Sequence, residues 1–134
     1  MAHKFNLRVY YEDTDAGGIV YHANYLKFAE RARTEFLHEL GLSNSKMLEQ
    51  DIAFVVSKIE IDYKKPAILE EMLTVETSIE KMGAATFVLR QNVMRKDELI
   101  AGLKVCVAVV SMSQKRPVRL PPELKEKFEA FIQV

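Results

Sequence analysis

The sequence predicts an α+β domain in which one long amphipathic helix packs on a curled antiparallel sheet of about five strands. Apolar residues recur at helical spacing between Tyr25 and Leu40, and later runs alternate apolar and polar residues with the period of two of a half-buried strand. The links between those runs are too short for parallel crossovers, so neighbouring strands pair antiparallel.

A chain of 134 residues, 49% of them hydrophobic, is long enough to bury a core without disulfides or metals, and is expected to form a single domain over residues 1–134. Lys plus Arg equals Asp plus Glu at 19 each, so net charge gives no bulk attraction to nucleic acid or to an anionic membrane. The one cysteine, Cys106, has no internal disulfide partner, and the opening MAHKFNLRVYYED lacks the basic-then-apolar layout of a secretory signal. A cytoplasmic location is therefore expected. The most apolar run, Leu103 to Val110, contains Lys104 and is far too short for a transmembrane segment.

In chain order, Phe5 to Tyr11 has the branched and aromatic character of a strand. The helix follows from Asn24, with Tyr25, Phe28, Ala29, Ala32, Phe36 and Leu40 on one face. Asn24 is the expected N-cap, and Gly41 suits the left-handed position past the last turn. Ser43 or Asn44 is placed to start a short second helix. Val55, Ser57, Ile59, Ile61 and Tyr63 then alternate with Val56, Lys58, Glu60, Asp62 and Lys64 up to Pro66. The alternation returns from Leu73 to Ile79 and from Phe87 to Val93, with turns at Gly83 and at Arg95 to Glu98. Leu99 to Met112 is apolar on both faces apart from Lys104, as in a strand at the middle of a sheet. The tail closes with a short helix carrying Leu124, Phe128 and Phe131 on one side. One helix covers one face of such a sheet, so edge strands and leftover apolar area point to a homo-oligomer.

The densest polar chemistry lies between first strand and first helix, in YYEDTDAGGIVYHANY. Asp13, Asp15 and Gly18 have part of the spacing of a calcium loop, but Gly17 and Asn24 stand where such a loop needs a ligand and a bidentate glutamate. Asp13, Asp15 and His22 lack the paired-histidine spacing of a transition-metal site, so no metal is expected. Gly17-Gly18 lacks the further glycines or the Gly-Lys-Ser/Thr ending of a phosphate cradle. The start of the helix offers free N–H groups that polarise a carbonyl oxygen, and a carboxylate facing that point fits acyl transfer or hydrolysis. No Gly-x-Ser-x-Gly elbow is present, and Cys106 sits mid-strand where a thiol packs as a small apolar group. That leaves Asp15 as nucleophile or as general base on a water. The bland roles stay open beside it: Asp13 capping a turn, Tyr11 packing, His22 as a structural hydrogen-bonder.

The run YYEDTDAGGIVYHANYLKFAERARTEFL closely resembles the signature of hot-dog-fold acyl-CoA thioesterases of the 4-hydroxybenzoyl-CoA thioesterase class, in the Tol-Pal-associated branch. The resemblance continues through AFVVSKIEIDYKKPA to KRPVRLPPE. It implies a hot-dog fold, a long helix wrapped by the sheet, with subunits paired through their sheets, commonly as tetramers that are dimers of dimers with sites at subunit interfaces. It places the catalytic carboxylate on Asp15 and assisting groups on Tyr11 and His22, with the His22 N–H polarising the thioester carbonyl. It also implies that Gly18 lets backbone approach substrate and that Asp13 braces the loop. Substrate contacts are expected from Gly18, Val20, Phe54, Val55, Val56 and Ser57. No cofactor is implied.

One departure concerns the coenzyme. Where the type member of that class carries a basic run for the CoA phosphates, this chain has Gly83-Ala84-Ala85. Lys58, Lys64, Lys65 or Lys115-Arg116 are the available replacements, and delivery of the acyl group on acyl carrier protein is the alternative. The expected activity is hydrolysis of acyl-thioesters, most simply acyl-CoA. A non-catalytic acyl-thioester or protein-binding module and a hot-dog hydratase are the competing readings.

Overall fold

The computed structural model describes residues 1–133; Val134, the last residue of the expected domain, lies outside them. The elements run β1 (His3–Arg8), α1 (Asn24–Glu39), α2 (Asn44–Glu49), β2 (Ala53–Tyr63), β3 (Met72–Met82), β4 (Thr86–Arg95), β5 (Glu98–Ser111), a two-residue β6 (Arg116–Pro117) and α3 (Pro122–Phe128). The strands form one sheet in the order β1-β3-β4-β5-β2, with β6 paired to the end of β5 and every pairing antiparallel.

Period-two alternation gives the sheet an apolar inner face. Leu73, Val75 and Ile79 of β3, Phe87, Leu89 and Val93 of β4, and Leu103, Val105, Val107 and Val109 of β5 are all buried. Against them α1 lays Tyr25, Phe28, Ala29, Ala32 and Phe36, lying chiefly over β1, β3 and β4. Each large side chain so buried contributes about 1.5–3 kcal/mol. Ala29 and Ala32 are fully buried where helix meets sheet, and a larger residue there costs about 1–3 kcal/mol by overpacking. The outer face mixes charged residues with Val88, Cys106, Ala108 and Val110, and on it Glu80 is shared between Arg90 (3.3 Å) and Lys104 (3.7 Å). The central position expected for the Leu99 to Met112 run holds, since β5 lies between β4 and β2.

Three expectations are corrected. The first strand ends at Arg8, because Tyr11–Asp13 turns into a short 3-10 helix. Ala23, in helical conformation, occupies the N-cap of α1, and Asn24 is the first helical residue, its side chain drawn to Asp13. The alternation of β2 changes phase at a bulge, where register passes from Val56 opposite Val107 to Lys58 opposite Cys106 and leaves Ser57 extra. Phe54, Val56, Ile59, Ile61 and Tyr63 therefore share the helix side while Val55 turns the other way, half exposed. The other caps follow the sequence. Ser43 accepts from the Lys46 N–H at 3.1 Å to start α2. Gly41, at φ +76, closes α1 as its N–H donates to His38 O and that of Leu42 to Leu37 O, both at 2.9 Å.

Candidate active site

The loop from Tyr10 to Ala23 is held from within by Asp13. Its side chain is buried; Oδ2 accepts from the Tyr10 N–H at 2.8 Å and Oδ1 from the Asn24 amide at 3.0 Å. Its backbone carbonyl accepts from the Tyr21 N–H at 2.9 Å. Both carboxylate oxygens are thus engaged by the protein itself, as expected of a brace.

Beyond the brace the chain folds into a five-residue reversal. Asp15 N–H donates to Ile19 O at 2.9 Å, Gly18 N–H donates to Asp15 O at 3.0 Å, and Thr14 and Val20 pair across the base. Gly18 has φ +79, and a Cβ there meets nothing within 4 Å, so backbone conformation alone demands glycine. The Asp15 carboxylate is exposed and accepts from the Gly17 N–H at 2.8 Å through Oδ1. Its Oδ2 has no partner among the described residues. Val20 is buried, with its N–H donated to Ala67 O, so its side chain belongs to the core.

At the start of α1 the Asn24 N–H donates to Tyr21 O at 2.8 Å, whereas no acceptor among the described residues takes the N–H of His22 or Ala23. These donors stand at the positive end of the helix dipole. The His22 carbonyl is fixed by the Tyr63 hydroxyl of β2, which donates at 2.9 Å, and the exposed imidazole lies between Tyr21 and Tyr63, 4.5 Å and 6.4 Å away by ring centroids. Behind them Tyr25 is buried; burial pushes its hydroxyl pKa up, although the Ala67 N–H donates to it at 3.3 Å. Tyr11 is 83% exposed on the 3-10 turn, its carbonyl accepting from the Thr14 hydroxyl at 2.7 Å. An exposed carboxylate on a rigid turn and unoccupied N–H donors at a helix start are the parts of an acyl-transfer site.

Between α1 and the sheet lies a cavity of about 230 Å³, walled by Phe54, Val56, Phe87, Val107 and Phe128 and edged by Glu30, Arg33 and Thr34. Phe54 and Val56 face it, but Val55 and Ser57 do not line it. The Ser57 hydroxyl donates to Cys106 O at 3.2 Å. Arg33 and its partner Gln91 gave no sequence signal, because a polar residue in a strand and an arginine on a helix read as solvated. Among the candidate phosphate ligands, Lys58 pairs with Glu60 at 3.1 Å and Lys65 with Glu98. Among the described residues, no ion pair engages Lys64, Lys115 or Arg116.

Residues 9–128 match the family model of the thioesterase-like superfamily. The chain is 46% identical over 125 residues to the acyl-CoA thioesterase YbgC of Haemophilus influenzae, with 92% of each chain covered. It is 39% identical to the acyl-CoA thioester hydrolase YbgC of Escherichia coli O6:H1, covering 94% of this chain and 95% of that one. A probable thioesterase from Bartonella henselae, known from its crystal structure, superimposes with a TM-score of 0.85 at 37% identity, over 90% of this chain and all of that one.

Proposed function

The chain belongs to the thioesterase-like superfamily, and we infer that it hydrolyses acyl-CoA thioesters to the free acid and CoA. It is an acyl-CoA thioesterase of hot-dog fold; the observation that carries this is 46% identity, across 92% of the chain, to a protein of that activity.

We assign the catalytic carboxylate to Asp15. It attacks the thioester carbonyl to give a mixed anhydride that water then opens, or it takes a proton from the attacking water; in both routes the C–S bond breaks and CoA leaves as thiolate. The His22 N–H, at the helix start, is assigned to the oxygen that gains negative charge. The His22 ring and Tyr11 are assigned to organising the site, Gly18 to close backbone approach, and Phe54 and Val56 to the wall of the acyl group. The open Oδ2 of Asp15 and the unoccupied N–H groups support this reading. A thioester needs little more, since thiolate is a good leaving group.

The working form is proposed to be a homotetramer, a dimer of dimers. Support comes from β2, an eleven-residue edge strand with Val55, Val56 and Tyr63 exposed, and from exposed Tyr10, Tyr11, Ile19 and Tyr21 around Asp15. Residence in the cytoplasm accords with the lone, unpaired Cys106. No helix among the described residues is long and apolar enough to cross a membrane. Acyl carrier protein is retained as a second carrier, because Lys58 and Lys65 are taken up by carboxylates.

Release of free thiol from saturated acyl-CoA substrates tests the activity, and Asp15→Asn tests the assignment. We expect turnover to fall at least about a hundredfold with melting temperature and oligomer unchanged. Undiminished hydrolysis by Asp15→Asn sinks the assignment, and no thiol from any substrate restores the binding-module reading.

A further inference from the structure

We propose that Arg33 is a specificity-determining residue of this site, selecting acyl groups whose far end carries a carboxylate or another strong hydrogen-bond acceptor. The proposal rests on the acyl-thioester reading and names the substrate class for it.

The segment from His22 through α1 faces β2 at two places. At one, the Tyr63 hydroxyl meets the His22 carbonyl; at the other, Phe54 of β2 and Arg33 of α1 face the same cavity. At 1.5 Å per residue, Arg33 lies about 14 Å along α1 from Asn24, its first residue, which is the reach of a medium to long acyl chain. The cavity at the Arg33 end has apolar walls, Phe54, Val56, Phe87, Val107 and Phe128, which accommodate the far part of an alkyl chain.

Arg33 breaks that lining. Among the described residues none of the ion pairs includes it. Its one hydrogen bond runs from Nη1 to Oε1 of Gln91 at 3.0 Å, a neutral acceptor. Gln91 is fully buried and cannot turn away, because its own amide donates to Ala29 O and to the Thr77 hydroxyl, both at 3.0 Å. The guanidinium is thus positioned from the sheet, with further N–H donors to spare. Glu30 edges the same cavity, but its Oε1 accepts from the Thr34 hydroxyl at 3.2 Å and makes no ion pair with Arg33. Burial lowers the Arg33 pKa even with Glu30 nearby acting in the opposite direction.

Arg33 is half-buried at the edge of apolar walls, and its spare donors are open to an anionic partner that enters the cavity. A carboxylate on the substrate supplies the bidentate partner, whereas a methyl terminus leaves the donors bare, and sites of this kind discriminate strongly.

The test compares kcat/KM for dodecanoyl-CoA and its ω-carboxy counterpart in the wild type, Arg33→Met and Arg33→Lys, beside calorimetric titration with dodecanoate and dodecanedioate. The wild type is expected to favour the carboxylated ester by about tenfold or more, and Arg33→Met to reverse the ratio. Arg33→Lys, which keeps the charge and loses the fork, falls between them and serves if the methionine variant does not fold. Equal ratios in the wild type and in the variant that folds overturn the proposal. If neither ester is hydrolysed but dodecanedioate binds in an Arg33-dependent way, the thioesterase reading fails and the Arg33 site stands. If dodecanedioate binds no better than dodecanoate, and the variant that folds binds it as the wild type does, the Arg33 site fails whatever the turnover.

Discussion

The buried carboxylate of Asp13 accepts the side-chain amide of Asn24 at 3.0 Å, eleven residues away in the chain, and so ties the loop that carries Asp15 to the first turn of α1. The same carboxylate accepts the Tyr10 N–H at 2.8 Å, so one side chain sets both the entry and the exit of the loop. In Asp13→Asn an amide replaces one acceptor and faces a donor. The expected loss is about 1–3 kcal/mol, measured by urea denaturation, together with a fall in kcat although Asp15 is intact. Unchanged stability would show that neither bond matters.

The two glycines behind Asp15 separate conformation from contact. Gly18→Ala has free space but must hold φ +79, which costs about 1–2 kcal/mol of backbone strain. Gly17→Ala has no such strain, yet its Cβ comes 3.3 Å from Oδ1 of Asp15, so the carboxylate held by the Gly17 N–H must shift by a few tenths of an ångström. Thermal melting and steady-state kinetics should therefore diverge: Gly18→Ala is the less stable protein, and Gly17→Ala loses activity with a smaller change in melting temperature. Equal effects on both measures would remove the distinction.

How far the sequence could be read depended on the distance over which each feature is decided. The face of α1 was legible because Phe28, Ala29, Ala32 and Phe36 repeat locally, and β5 because its run is apolar on both sides. Asp15 stood out through the turn chemistry around it. The role of Asn24 was not legible, since it is decided by Asp13 across a fold that the local pattern does not describe. Gln91 sits on β4 in the phase of the buried residues, yet its polarity hid it; its partners Ala29, Thr77 and Arg33 come from two other elements.

The corner before β2 carries an acid-sensitive clasp. Asp51, at φ +60, accepts from the hydroxyls of Ser111 and Ser113 and from the Ser113 N–H, which joins this corner to the turn after β5. Those bonds, that of Ser111 foremost, hold its carboxyl at about 2 against an ordinary 3.8. A folded-state pKa below the unfolded one means that the ionised form favours the folded chain. Its contribution is complete above about pH 4 and is lost as pH falls through about 2. Melting curves of the wild type and Asp51→Asn should lie apart near neutrality and converge as pH falls across that window. A constant separation would refute the clasp.

The bulge in β2 gives a deletion that should be tolerated. Val56 opposes Val107 and Lys58 opposes Cys106, so Ser57 is the single residue without a place in the ladder. Removing it leaves Phe54, Val56, Ile59, Ile61 and Tyr63 in strict alternation on the helix side, with every apolar residue still inward. What is lost is the local bend of an edge strand and the hydroxyl bond to Cys106 O at 3.2 Å. The Ser57 deletion should therefore fold, with circular dichroism like the wild type and stability within about 1 kcal/mol, since that bond is exposed. The straightened strand re-aims Val56 and Phe54 relative to α1, so KM for acyl-CoA should rise more than kcat falls. An unfolded product would mean that the bulge is needed to make the sheet, and an unchanged KM would separate the shape of β2 from substrate binding.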